Sequence, residues 1–241
     1  PCAPFPHAGT SRAAGGHTRA LCGDTCDSDL YAARPSHGCW LHASCDARCR
    51  GDYDAQERIT GVAEVARRTV DGLMRGGVTH VVGIPDNMSG PLFDEVALHA
   101  AIQLVTVTRE GEAFAVAAGL WLGGASPIVV IQNTGLLESG DAIRGTAQRM
   151  GAPVPVIVTG RGYEKMERLG VNQDHPLTRE LLTRHDVDST ALLTEPTFNA
   201  WGIPFWRCSA GDDPVAAIAR LLDSTQALGI PAALLLTRDL N

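Results

Sequence analysis

From Tyr53 onward the apolar residues follow two alternating rhythms, long stretches with a helical stripe and short unbroken runs. Residues 57–75 put Val62, Val65, Ala66 and Leu73 on one helical stripe, and Gly76-Gly77 is a stop signal. Val78–Ile84 predicts a buried strand that ends in the turn Pro85-Asp86-Asn87. Pro91 opens a helix through Leu98, Ile102–Thr108 predicts the next strand, and Glu110–Leu122 the helix after it. Ser126–Asn133 is a strand closing on a polar loop, Asp141–Met150 a helix, and Val154–Thr159 a further strand. A long polar loop is expected over Gly160–His175, then short helices near 176–184 and 195–201. Pro204–Cys208 and Pro231–Thr237 complete the strands, with a helix over Pro214–Leu228 between them.

Alternation of this regularity predicts an α/β fold, a doubly wound and mostly parallel sheet with helices on both faces. Right-handed crossovers bring the strand-to-helix loops to one edge. That edge collects Pro85-Asp86-Asn87, Arg109-Glu110, Gln132-Asn133-Thr134-Gly135 and Arg161-Gly162-Tyr163. Glu110 stands where a strand becomes a helix, followed by Ala113, Ala115, Ala117, Ala118 and Gly119, small residues that let a helix approach another backbone. A first-turn Glu that merely complements the helix dipole is the plainer explanation for Glu110 taken alone. The convergence of four polar loops on one carboxylate points instead to a site.

Composition narrows the class. The 241 residues suffice for one large or two small domains, and 44% hydrophobic with 20% charged residues is ordinary for a globular enzyme. A formal charge of -7 without any basic run argues against a nucleic-acid surface. No apolar stretch is long enough to span a bilayer, and the charged first segment does not resemble a secretory signal, so a cytoplasmic location is expected.

The cysteines stand apart from this pattern. Cys2, Cys22, Cys26, Cys39, Cys45 and Cys49 crowd the beginning of the chain beside His7, His17, His37 and His42, and Cys208 follows much later. Their spacings do not form the paired knuckles of common zinc sites, and a disulfide framework would need an oxidising compartment. With Lys165 the single lysine, the arginine bias suits a high-GC coding sequence. Residues 1–55 are therefore expected to be a disordered or non-native extension preceding one domain over 56–241, and no metal ligand is assigned.

Taken in order, the loops resemble the pyrimidine-binding domain of thiamine-diphosphate-dependent decarboxylases, in particular the sulfopyruvate and phosphonopyruvate decarboxylase group. The matching stretches are Gly83-Ile84-Pro85-Asp86, Thr108-Arg109-Glu110-Gly111-Glu112-Ala113 with Ala118-Gly119, Gln132-Asn133-Thr134-Gly135-Leu136, and Arg161-Gly162-Tyr163-Glu164. The resemblance covers about residues 58–238 and implies a thiamine-diphosphate cofactor. It implies that Glu110, nine positions before Gly119, hydrogen-bonds N1′ of the aminopyrimidine and promotes loss of the cofactor's C2 proton; Glu112 is the competing candidate. Gln132, Asn133, Thr134 and Gly135 would line the cofactor. Asp86, Asn87, Arg109, Arg161 and His175 are candidates for the 2-oxo acid substrate, the two arginines for an anionic tail. Structural ion pairing for the arginines, and a surface role for His175, are the plainer alternatives.

Two departures qualify the resemblance. The Gly-Asp-Gly motif with its later Asn pair, which binds Mg²⁺ and diphosphate in that family, has no counterpart among these residues. A separate diphosphate-binding (β) subunit that supplies most of the Mg²⁺ site is therefore implied, in a hetero-oligomer. Leu137-Glu138 stands where these decarboxylases usually carry Gly-Asn. The alternatives are half of an acetolactate-synthase-like carboligase, and a non-catalytic binding protein that kept the fold.

Overall fold

The computed structural model describes residues 64–237. The 1–55 extension, the cysteine cluster within it and the first residues of the predicted 57–75 helix lie outside the described residues. The first described helix, α1, covers 64–75, and Val65, Ala66, Thr69, Val70 and Leu73 form its buried stripe.

Six strands follow: β1 (His80–Gly83), β2 (Gln103–Thr106), β3 (Pro127–Gln132), β4 (Pro155–Thr159), β5 (Phe205–Cys208) and β6 (Ala232–Leu236). All neighbouring pairs are parallel, and the spatial order is β2-β1-β3-β4-β6-β5. The helices between them are α2 (Gly90–Ala97), α3 (Glu110–Leu122), α4 (Asn133–Glu138), α5 (Gly140–Ala142, continuing as a π-helical stretch Ile143–Gln148), α6 (Tyr163–Arg168), α7 (Arg179–Leu182), α8 (Ser189–Ala200) and α9 (Pro214–Leu228).

The sheet is covered on both faces, as the alternation requires. Val81, Ile128 and Val130 point to one side, where α1, α2 and α9 supply Leu73, Leu92, Phe93, Ile218 and Leu221. Val82, Val129 and Ile131 point to the other, against Ala113, Phe114 and Ala117 of α3, Leu136 of α4 and Phe198 of α8. Strands β4 and β6 are buried along their whole length, which explains their unbroken apolar runs. Gly83, the last residue of β1, lies so close to β3 that an added Cβ would stand 1.9 Å from the Val130 carbonyl oxygen. Only glycine fits there, and it fixes where the Pro85-Asp86-Asn87 turn leaves the sheet.

Three local expectations give way to tertiary context. The polar loop after β3 is already helical from Asn133, because Gln132 enters in extended conformation and Leu136 buries beneath α4. The Gly160–His175 segment contains α6, held by Met166 packing on Val171, Ala191 and Leu192. The short helix expected near 195–201 begins earlier, at Ser189, so Pro196 sits inside α8, where burial of Ala191, Leu192 and Phe198 outweighs the roughly 3 kcal/mol that an internal proline costs.

The chain crosses from β1 to β2 on one side, then returns past β1 to β3 on the other. The carboxyl ends of β1 and β3 therefore flank a topological switch point, the place where open α/β sheets bind ligands.

Candidate active site

Four of the loops named from sequence are joined there by direct contacts. Asp86, after β1, accepts from the Met88 amide at 2.6 Å, the Ser89 amide at 3.2 Å, the Ser89 hydroxyl at 2.9 Å and Gln132 Nε2 at 3.1 Å. Its carboxylate thus organises its own turn and orients Gln132 across the switch point. Gln132 Oε1 in turn accepts from the Thr134 hydroxyl at 3.0 Å. Asn133 is fully buried, donates to the Arg161 carbonyl at 3.0 Å, and leaves Oδ1 without a partner. Asn87 is exposed beside this network.

Glu110 is the first residue of α3, half-buried, with its side chain laid over the backbone of Gly135. A Cβ at position 135 would stand 2.2 Å from Glu110 Cγ and 2.8 Å from Oε1. The glycine in Gln132-Asn133-Thr134-Gly135 is thus the space that the carboxyl occupies. The rival Glu112 is already engaged: its Oε2 accepts from the Thr108 amide at 3.0 Å, the Thr108 hydroxyl at 2.9 Å and the Arg109 amide at 3.3 Å. This is the return half of a capping box, and those bonds hold its carboxyl below the ordinary carboxylate range. No described residue donates a hydrogen bond to the Glu110 carboxyl.

The small residues of α3 divide by face. Ala113, Ala117 and Ala118 are fully buried against the sheet, while Ala115 and Gly119 face outward with open space at Gly119.

Both candidate arginines are ion-paired within the chain. Arg109 Nε and Nη2 donate to Glu138 Oε1, and Glu138 Oε2 accepts from the Gly111 amide at 2.9 Å. The Arg109 guanidinium, then the Gly111 amide, depress the Glu138 carboxyl, and the same pair raises Arg109. Arg161 Nε lies 3.6 Å from Asp188, whose carboxyl fills the space beside Gly162. Tyr163, the end of that loop, donates to the buried Glu195 at 3.1 Å, and Glu195 also pairs with Arg207 at 2.6 Å. Burial, then the Glu195 charge, raises the Tyr163 phenol well above its ordinary value. His175 is exposed and bonded to Asn172 Oδ1 at 2.9 Å, with no bond to the switch-point network.

Two participants escaped the sequence reading. Ser89 is fully buried and locks the Asp86 turn, a role readable in the Asp86-x-x-Ser89 spacing. Glu138 was visible only as an unusual residue. Its partners lie 27 and 29 positions away, so no local pattern announces them. Among the described residues no group of three or more His, Cys, Asp or Glu is placed to hold a metal ion, and no helix is long and apolar enough to cross a membrane.

A half-buried, unbonded carboxyl at the switch point of a parallel sheet defines a cofactor- or substrate-binding α/β domain. Comparison with known proteins specifies which. Residues 63–184 match the family described as thiamine pyrophosphate enzyme, N-terminal TPP binding domain, and the chain belongs to that family. It is similar to the phosphonopyruvate decarboxylase of Streptomyces viridochromogenes, 42% identical over 93 residues, which are 39% of this chain and 23% of that protein. It is also similar to the sulfopyruvate decarboxylase subunit alpha of Methanothermobacter thermautotrophicus, 32% identical over 93 residues, 39% of this chain and 56% of that one. The chain covers less than two thirds of either relative. Among solved structures, benzoylformate decarboxylase from Polynucleobacter necessarius superposes with a TM-score of 0.50 over 73% of this chain and 30% of that chain, at 20% identity, a likeness of fold.

Proposed function

We propose that this chain is the pyrimidine-binding (α) subunit of a thiamine-diphosphate-dependent 2-oxo acid decarboxylase with a phosphonopyruvate- or sulfopyruvate-like substrate. The observation that carries the reading is the Glu110 carboxyl, free of protein donors and seated on Gly135 while its neighbour Glu112 is consumed by the helix cap. When bound, thiamine diphosphate supplies the carbon nucleophile and the electron sink that decarboxylation of a 2-oxo acid requires.

The residues present fit that group. A carboxyl with no internal donor can share a proton with a ring nitrogen, and Glu110 would hold that proton toward N1′ of the aminopyrimidine. Gln132, kept in one orientation by Asp86 and Thr134, would present its remaining N–H and lone pair to the cofactor. Asn133 and Thr134 belong to the same first turn, and Gly135 provides the space for the acid. Asp86, Asn87 and Arg161 would border the substrate, with Asp86 acting through Gln132. His175 stands as a substrate-side candidate on its loop position alone. Mg²⁺ and the diphosphate would be held mainly by a separate β subunit, in keeping with the subunit name of the methanogen relative. The complex is expected in the cytoplasm.

The test is Glu110→Gln in the assembled enzyme. An amide cannot exchange the proton, so turnover of 2-oxo acids and deuterium exchange at the cofactor's C2 should both fall by about 10²- to 10⁴-fold. Cofactor affinity should be largely kept. Parent-like C2 exchange in this variant would refute the assignment.

A further inference from the structure

The first turn of a helix exposes amide donors and a positive dipole end, and a carboxylate at that place tends to turn back on them. Glu110 occupies such a place and does not do so. The reason lies in two other carboxylates. Glu112 takes the Thr108 and Arg109 amides. Glu138, from the last residue of α4, takes the Gly111 amide through one oxygen and the Arg109 guanidinium through the other. Both chain neighbours of Glu110 are therefore bonded to one carboxylate.

Resting on the cofactor reading above, we infer that Glu138 is a positioning residue for Glu110. It clamps Arg109 and Gly111 from across the α3–α4 contact, satisfies the open end of α3, and leaves the Glu110 carboxyl directed over Gly135. The clamp is local and tight: a Cβ at Gly111 would stand 3.4 Å from Glu138 Oε2 and 3.5 Å from Ala142 Cβ. It also decides what Arg109 does. Although 72% of the Arg109 side chain is exposed, its guanidinium is committed to Glu138 and serves to brace the acid's backbone.

Two measurements test this. In the isolated chain, Glu138→Ala should speed exchange of the Gly111 amide about tenfold, the loss expected for one charge-assisted bond, while amides of β3 and β4 keep their protection. Glu138→Gln retains a carbonyl acceptor and should restore most of that protection. Unchanged Gly111 exchange in Glu138→Ala would overturn the inference. In the assembled enzyme, Glu138→Ala should slow C2 deuterium exchange at least tenfold with thiamine-diphosphate affinity nearly unchanged, while Glu112→Gln, which also weakens the start of α3, leaves C2 exchange close to the parent, a split that a purely structural role would not produce. Arg109→Ala, which removes one arm of the clamp, should fall between the two. Glu110→Gln is run alongside. If it abolishes C2 exchange and Glu138→Ala leaves exchange intact, the positioning role is refuted and the cofactor reading stands. If Glu110→Gln itself leaves exchange intact, the cofactor reading fails and the inference with it.

Discussion

At the scale of single residues the site turns on which carboxylates are free. Glu110 and Glu112 are two positions apart and share the first turn of α3, yet only Glu112 closes the capping box. Glu112→Gln should therefore lower the melting temperature and leave C2 exchange close to the parent, because its carboxyl bonds only to Thr108 and Arg109. Differential scanning calorimetry and C2 exchange on the same preparation check both halves. Gly135→Ala should behave in the opposite way. The new Cβ would meet the flexible end of Glu110 rather than backbone, so the fold should survive while the acid is pushed aside. The expected result is a near-parent melting temperature with C2 exchange reduced as far as in Glu110→Gln. The Gly135 outcome could not be written from sequence, since 135 is merely a glycine in a polar loop until Glu110 is seen lying on it.

At the scale of elements, α3 is the piece that carries the proposed acid, and its start is held by charge. Glu112 and Glu138 both titrate below the ordinary carboxylate value of 4.5, through bonds to Thr108 and to Arg109 respectively. A depressed folded value means that these bonds stabilise fully above about pH 4.5 and are lost as pH falls through the lower folded values. Amide exchange at Thr108, Arg109 and Gly111, corrected for its intrinsic pH dependence, should accordingly accelerate as the pH drops below the ordinary carboxylate range, before the β3 and β4 amides respond. Exchange that stayed flat until global unfolding would show that the carboxylates do not anchor this turn. The helix was legible to its last residue, because Glu110–Leu122 is bounded by a strand signal on one side and Gly123-Gly124 on the other. The short α4 and α6 were not. Each is held by a few buried contacts, Leu136 in one and Met166 in the other, that only the assembled sheet and α8 provide.

At the scale of the whole molecule, the strand order puts the loops of the proposed site at one switch point. The Tyr163–Glu195–Arg207 network, centred on the buried Glu195, ties α6 and α8 to β5, and the Arg161–Asp188 pair joins the loop before α6 to the start of α8. On the proposed division of labour, the purified chain should show no decarboxylation of 2-oxo acids with thiamine diphosphate and Mg²⁺. Co-expression with a diphosphate-binding subunit should restore it, as measured by CO2 release. Robust Mg²⁺-dependent turnover by this chain without a second subunit would end the two-subunit proposal.

The alternation of apolar runs and stripes was enough to place the strands within a residue or two and to make the sheet parallel, because burial on both faces leaves its mark on the local composition of the central strands β1, β3, β4 and β6. Counting back from Gly119, with the resemblance, also made Glu110 rather than Glu112 the proposed acid. The β2-β1-β3 order, the bond from Gln132 to Asp86 across 46 positions, and the capture of Arg109 by Glu138 across 29 left no such mark. Periodicity records what each residue's own turn or strand must bury. Pairings between distant segments depend on how the crossovers stack, and a charged residue looks the same in sequence whether it meets solvent, a substrate or the carboxylate of the next helix.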